Sequence, residues 1–112
     1  MKRVVVTGMA LASPLGSDLK TAFEALQKFE NCVEYDKSLD KYQRLNTRLS
    51  AYVKGFEIPS TYNRKVLRTM GPVSVMAVRT AELALEDAGL LGDEIITNGA
   101  TGVSYGSSAG SL

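Results

Sequence analysis

The fold of this chain is decided by its opening residues, Lys2-Arg3-Val4-Val5-Val6-Thr7-Gly8-Met9-Ala10-Leu11-Ala12-Ser13-Pro14-Leu15-Gly16. Three consecutive valines before a glycine are typical of a strand buried on both faces, and they predict a strand over residues 3–7. Pro14 and Gly16 predict a turn after this strand. Ser17 can then cap a helix, because serine accepts a hydrogen bond from the first turn. The opening therefore predicts a strand, a turn and a helix in that order.

The next part of the chain contains one amphipathic helix, one polar segment and one alternating segment. Apolar residues at intervals of three and four predict that the first helix ends near Phe29. The residues that form this pattern are Leu19, Ala22, Phe23 and Leu26. Residues 30–47 are polar and predict an exposed loop, whose length favours a local functional or interface role. From Leu49 every second residue is apolar, which predicts a half-buried strand ending at Gly55.

Two helices are predicted between residues 60 and 89. A short one opens at Ser60 or Thr61 and ends at Gly71. The residue after it is a proline, which suits the first turn of a new helix because proline has no N–H to donate. This second helix is predicted over 72–88, with Gly89 as its C-cap.

The composition indicates one small domain with no bulk affinity for polyanions or membranes. The chain has 112 residues with 13 Lys and Arg against 12 Asp and Glu, a net charge of +1. This balance does not predict bulk binding to nucleic acid or to an anionic membrane. No apolar run approaches a signal-peptide core or a membrane span. A single cysteine builds no intramolecular disulfide, so a cytoplasmic location is predicted.

Few kinds of catalytic or metal-binding site can be built from the residues of this chain alone. It has no histidine, so no histidine base, histidine-assisted nucleophile or histidine metal site can be built. Cys32 is predicted to follow a helix C-terminus beside two acidic residues, Glu30 and Glu34, which is not the electropositive setting of a reactive cysteine. We interpret it as a structural thiol, and no metal and no cofactor are expected.

A dinucleotide-binding site is the first alternative to consider, because a valine-rich strand precedes Gly8. Such a site needs glycines spaced as G-x-G-x-x-G, so that a helix N-terminus meets the pyrophosphate. The next glycine here is Gly16, and Pro14 intervenes. A buried strand with a tight turn fits this stretch better.

Four motifs in register resemble the β-ketoacyl-acyl-carrier-protein synthases of the elongating, condensing type. The opening resembles that family's R-V-V-V-T-G-x-G-x-x-S-P-x-G, with Ala10 in place of a glycine. Further along, Arg68-Thr69-Met70 and Asp87-Ala88-Gly89-Leu90 match R-x-M and D-x-G-L. Residues 101–110 match I-G-x-x-x-G-S-x-x-G. The likeness covers nearly the whole chain, and residues 30–47 match least well.

The resemblance implies an α/β fold, here part of the thiolase-type fold, with a mixed sheet and packed helices. The family is usually dimeric and condenses malonyl-carrier protein, with loss of CO₂, with an acyl thioester held on a cysteine. That cysteine, two histidines and a lysine lie downstream of the motifs found here, so no catalytic residue is assigned to this chain. A final strand is predicted over 101–105. Residues 1–112 are therefore expected to be an incomplete N-terminal part of a synthase domain, inactive alone.

The resemblance also assigns two candidate sites. Basic residues that match Lys65 and Arg68 help dock the acidic acyl carrier protein in the family, and Arg64 can share their face one helical turn away. A solvated helix face is the plain alternative. The residue that matches Ala109 lies at the acyl pocket near the dimer interface, with Ser108 beside it. Because alanine is small, a roomy acyl pocket is expected. A non-catalytic partner subunit, similar to a chain-length factor, remains the main alternative function.

Overall fold

The computed structural model describes residues 1–108, and these divide into two compact units. One unit consists of Met1–Ala10 together with the residues from Glu57 onward, and the other of Leu11–Phe56. Within the described residues, none of the helices has the length and apolar character needed to cross a membrane.

The unit of residues 11–56 begins with the predicted turn and the helix α1, Leu19–Gln27. Two backbone hydrogen bonds of 3.1 Å between Ser13 and Gly16 close the turn. The cap of α1 is Asp18, one residue later than predicted, and its carboxylate accepts from the Thr21 N–H at 2.9 Å. The helix buries the alanines Ala22 and Ala25, whereas the large apolar side chains of the predicted amphipathic pattern are exposed.

The C-terminus of α1 is closed by a residue in the left-handed conformation. Phe29 has a φ of 56°, which is costly for a bulky side chain. Its N–H donates to the Leu26 carbonyl at 3.1 Å, and the Glu30 N–H donates to the Ala25 carbonyl at 3.0 Å. These two bonds form a Schellman motif, in which glycine is the usual residue at this position.

The segment predicted as a loop over 30–47 is partly ordered. It contains β1, Glu34–Tyr35, and a 3₁₀ helix, Lys37–Lys41. β1 pairs antiparallel with β2, Leu49–Ser50, so that Glu34 faces Ser50 and Tyr35 faces Leu49. The strand predicted over 49–54 is thus reduced to two residues, the length over which a partner strand is available.

Asp36 ties the two short strands together. Its N–H donates to the Arg48 carbonyl at 2.8 Å, and its carboxylate accepts from the Ser38 N–H at 2.8 Å. The same carboxylate accepts from the hydroxyls of Ser50 and Tyr52. These hydrogen bonds lower the pKa of Asp36, with that from Tyr52 contributing most. A polar network, rather than an apolar core, therefore orders this segment.

The other unit is built around α3, Pro72–Asp87, with the short helix α2, Arg64–Leu67, before it. Proline at the start of α3 is as predicted. The C-cap is Ala88, one residue before the predicted Gly89. Gly89 has a φ of 70° and donates to the Glu86 carbonyl at 3.0 Å, which makes it the left-handed residue that follows the helix. A 3₁₀ helix, Glu94–Ile96, lies beyond it.

The N-terminal segment contacts α3 through Gly8. A Cβ atom at Gly8 would lie 2.2 Å from the Ala84 carbonyl oxygen and 2.7 Å from the Ala88 nitrogen. The next N–H, that of Met9, donates to the Asp87 carboxylate at 2.9 Å. The segment is therefore seated on the last turns of the helix by close backbone approach and one hydrogen bond.

The strands predicted over 3–7 and 101–105 are not formed in the described residues. Val4 and Val103 are 96% and 94% exposed. A strand needs a neighbour for its N–H and C=O groups, and neither segment has one here. The sheet of the described chain is therefore the antiparallel β1–β2 pair, and no mixed sheet is present in it.

Candidate functional site

The short helix α2 carries the three basic residues singled out from the sequence. Asn63 caps it, with its side-chain oxygen accepting from the Val66 N–H at 3.0 Å. The cap was predicted two or three residues earlier. Arg68 is the C-cap residue, and its N–H donates to the Arg64 carbonyl at 3.1 Å. The helical backbone thus places Arg64 and Arg68 one turn apart on the same side of α2.

The three cations face solvent and are not neutralised by the described part of the chain. The side chains of Arg64, Lys65 and Arg68 are all exposed. The ion pairs formed within residues 1–108 involve other cations: Arg48 with Asp40, Lys54 with Glu34, and Arg79 with Glu82. An uncompensated cluster of this kind attracts an acidic partner and raises its association rate. We refer to Arg64, Lys65 and Arg68 as the α2 cations.

A tyrosine lies immediately before this helix and next to a carboxylate of α3. The hydroxyl oxygen of Tyr62 is buried, and no group of residues 1–108 makes a well-formed hydrogen bond to it. Burial, followed by the hydrogen-bonding capacity and charge of Glu82, raises the pKa of Tyr62 to about 12, and Arg79 partly offsets this. Arg79 Nη1 lies 3.3 Å from Glu82 Oε2, one turn away on α3.

Three other residues were singled out from the sequence, namely Cys32, Ser108 and Ala109. Cys32 is a free, half-buried thiol in the unit of residues 11–56. Ser108 is exposed at a bend, and Ala109 falls outside the described residues. Within residues 1–108, the acidic and cysteine side chains form no group that could hold a metal ion.

The Tyr62 contact is the part of this region that sequence analysis missed. Arg79 and Glu82 are three residues apart on a predicted helix, so their ion pair was open to prediction. Asn63 was equally recognisable as a cap, because asparagine is among the preferred residues at that position. Nothing in the local pattern indicates that Glu82 influences Tyr62, since the two residues are 20 positions apart in the sequence.

Comparison with known proteins gives one consistent family. The model of the β-ketoacyl synthase N-terminal domain matches residues 1–112. The 3-oxoacyl-[acyl-carrier-protein] synthase 2 of Staphylococcus aureus strain COL is 35% identical over 94 residues, which cover 80% of this chain and 21% of that protein. The synthase 2 of Vibrio cholerae serotype O1 is 33% identical over 112 residues, covering 99% of this chain and 26% of that protein.

A solved structure agrees with these sequence matches. The crystal structure of a β-ketoacyl synthase from Burkholderia phymatum STM815 has a TM-score of 0.88 to this chain and is 48% identical to it. The match covers 96% of this chain and 26% of that one. The chain therefore spans about a quarter of the length of such proteins. The predicted α/β, partial thiolase-type fold is confirmed by this likeness, although the described residues form only its helices and a small sheet.

Proposed function

This chain belongs to the β-ketoacyl synthase family, whose N-terminal domain it matches, and from that premise we propose that it contributes the N-terminal part of a 3-oxoacyl-acyl-carrier-protein synthase. The observation that carries the proposal is the match of the family model over residues 1–112. The relatives named above are synthases that act on acyl carrier protein. The protein is accordingly an acyltransferase of fatty acid or related biosynthesis.

The proposed reaction joins two thioesters. The acyl group first moves from its carrier to a cysteine thiolate, and the carrier leaves as a free thiol. Malonyl-carrier protein then loses CO₂, and the electron pair left behind attacks the acyl thioester. A new carbon–carbon bond forms, and the cysteine leaves as a thiolate. This chain has no histidine, so the two histidines that the family resemblance implies are not among residues 1–112.

The reaction is tested with the full-length protein, malonyl-carrier protein and an acyl-carrier protein. We expect CO₂ release together with formation of a 3-oxoacyl thioester, in equal amounts. A protein that binds the carrier but yields neither product would instead be a non-catalytic partner subunit. Absence of both binding and turnover would refute the proposal.

Within this proposal, the α2 cations dock the carrier protein. Carrier proteins in this pathway are acidic, so the exposed cluster is complementary in charge. Exposed charges at the edge of an interface act mainly on the association rate, and dissolved salt screens their attraction to the partner. Their exposure and the lack of an ion-pair partner among residues 1–108 support the assignment.

Charge reversal tests the docking role. Replacing both Lys65 and Arg68 by glutamate should raise KM for the carrier substrate about tenfold or more at low salt, because two attractive contacts become repulsive. The effect should shrink as the ionic strength rises above about 0.1 M, where the Debye length is ~10 Å. Lys20→Glu, an exposed reversal on α1, is the matched control and should leave KM unchanged. Equal KM values for both variants would exclude docking at α2.

The acyl pocket is the second part of the proposal. From the family resemblance we propose that Ala109 and Ser108 belong to this pocket near the dimer interface, and that the small alanine leaves room for long or rigid acyl chains. Replacing Ala109 with phenylalanine should shorten the longest accepted chain. An unchanged chain-length profile would remove Ala109 from the pocket.

The same family membership supports a dimer, either of identical subunits or with a related subunit, and a cytoplasmic location. The unpaired thiol of Cys32 is compatible with a reducing compartment. Sedimentation of the full-length protein tests the assembly. A monomer at micromolar concentration would contradict it.

A further inference from the structure

The orientation of α2, the helix that carries the α2 cations, is not fixed by the helix alone. It has four residues, Arg64–Leu67, and isolated helices shorter than ~12 residues are marginal in water. Its own hydrogen bonds and the Asn63 cap close the turn but attach it to nothing else. Some contact upstream or downstream must therefore set where the cations point.

Tyr62, the residue directly before the cap, is one group that can anchor the helix. Its N–H donates to the Pro59 carbonyl at 2.9 Å, so Tyr62 is the last residue of a tight turn over 59–62. Its hydroxyl oxygen is buried although the residue as a whole is half-exposed. A buried hydroxyl without a partner is costly, and most such groups in folded proteins are hydrogen-bonded.

Glu82 is the carboxylate that acts electrostatically on that hydroxyl. Its charge and hydrogen-bonding capacity add to burial in raising the pKa of Tyr62 to about 12. Glu82 is held in turn by Arg79, at 3.3 Å on the same face of α3. A hydrogen bond between the two would join the turn before α2 to the C-terminal half of the 16-residue helix α3.

We infer that the Tyr62 hydroxyl donates a hydrogen bond to the Glu82 carboxylate in solution, and that Tyr62, Glu82 and Arg79 together position α2 so that its cations meet the carrier protein. Tyr62 and Glu82 are positioning residues and do not themselves touch the carrier. The inference rests on the proposed docking function.

The first test separates positioning from stability. In the full-length protein, Tyr62→Phe removes the donor and should raise KM for the carrier substrate about three- to tenfold, as expected for the loss of one ordinary hydrogen bond. Glu82→Gln should raise KM by less, because its amide oxygen still accepts a hydrogen bond but carries no charge. The kcat of each should stay within about twofold of wild type, because the reacting groups are untouched. Glu86→Gln is the matched control, since it removes the same charge from an exposed position of α3.

The second test reads the contact without any enzyme activity. Phenolate absorbance is followed from pH 9 to 11 in the wild type and the variants. The negative charge of Glu82 disfavours the phenolate and so raises the pKa of Tyr62. Glu82→Gln should therefore lower this pKa, although burial, the larger cause of the raised value, stays in place, and the phenolate absorbance at pH 11 should be higher than in the wild type. That extra absorbance should be missing when Tyr62→Phe is combined with Glu82→Gln.

The outcomes distinguish this inference from the proposed function. If reversal of Lys65 and Arg68 leaves KM unchanged, the docking proposal fails whatever Tyr62 does. If the reversal raises KM while Tyr62→Phe and Glu82→Gln behave as Glu86→Gln does, docking stands and the positioning role is overturned. If Glu82→Gln leaves the tyrosine titration unchanged, the Tyr62–Glu82 contact itself is refuted.

Discussion

Replacing Gly8 with alanine should detach the N-terminal segment from α3. The added Cβ would lie 2.2 Å from the Ala84 carbonyl oxygen, and 2.7 and 2.8 Å from the nitrogen and Cβ of Ala88. Comfortable separations between non-bonded heavy atoms are about 3.5 Å, so the segment or the helix must move by roughly 1 Å. Two of the three obstructing atoms belong to helical backbone and cannot rotate away.

The cost of this substitution follows from those contacts. Overpacking of a well-packed site costs about 1–3 kcal/mol, and clashes with backbone on rigid helical turns belong at the upper end. The same movement breaks the 2.9 Å hydrogen bond from the Met9 N–H to Asp87, which is worth about 1 kcal/mol. We therefore expect a loss of about 3–4 kcal/mol, against a typical total stability of 5–15 kcal/mol.

Hydrogen exchange of the Met9 amide measures this loss locally, and urea unfolding measures it globally. In Gly8→Ala, exchange at Met9 should be at least about 100-fold faster, since each 1.4 kcal/mol is a factor of ten. Gly102→Ala is the control, because a Cβ there meets no atom within 4 Å. Wild-type protection of Met9 in Gly8→Ala would refute the steric reasoning.

Two further predictions concern the unit of residues 11–56. Phe29→Gly should stabilise it by roughly 0.5–1 kcal/mol, because glycine adopts the positive φ of 56° without strain. The control Phe23→Gly lies in the helix interior and should destabilise the unit. A lower melting temperature for Phe29→Gly would contradict the prediction. Hydrogen bonds from Tyr52 above all lower the folded-state pKa of Asp36 below its usual 3.8, so the stability they contribute is fully present above pH 3.8 and is lost as the pH falls through the folded value. Thermal melts between pH 5 and 2.5 should show a smaller acid loss in Asp36→Asn than in wild type, and identical pH profiles would exclude this role.

Local rules predicted the helices well and the strands poorly. Pro72 and Gly89 bracket α3 in the sequence because proline suits a first turn and glycine the left-handed residue after the last, and both roles depend only on neighbouring backbone. Strand pairing depends on residues far away. The valines at 4–6 have the right pattern, yet no described strand lies beside them.

In the candidate site, too, local features could be predicted and contacts between residues distant in the sequence could not. The α2 cations could be chosen from the sequence, because their spacing on a helix and their resemblance to a family pattern are both local. Tyr62 and its neighbour on α3 could not, since that contact depends on how a turn lies against a helix. The polar network around Asp36 was missed for the same reason, since two of its partners, Ser50 and Tyr52, lie beyond the intervening loop.

The seating of the N-terminal segment on α3 has a consequence for sequence tolerance. The contact uses the bare Cα of Gly8 and the main-chain N–H of Met9, whereas the methionine side chain is itself 56% exposed. In a library randomised at these two positions and selected for folded protein, position 8 should return glycine alone. Position 9 should return nearly every residue except proline, which has no N–H to give. The two neighbouring positions would thus differ greatly in the substitutions they tolerate. Position 8 has no room for a Cβ atom, whereas position 9 needs only a backbone N–H, which almost every amino acid has.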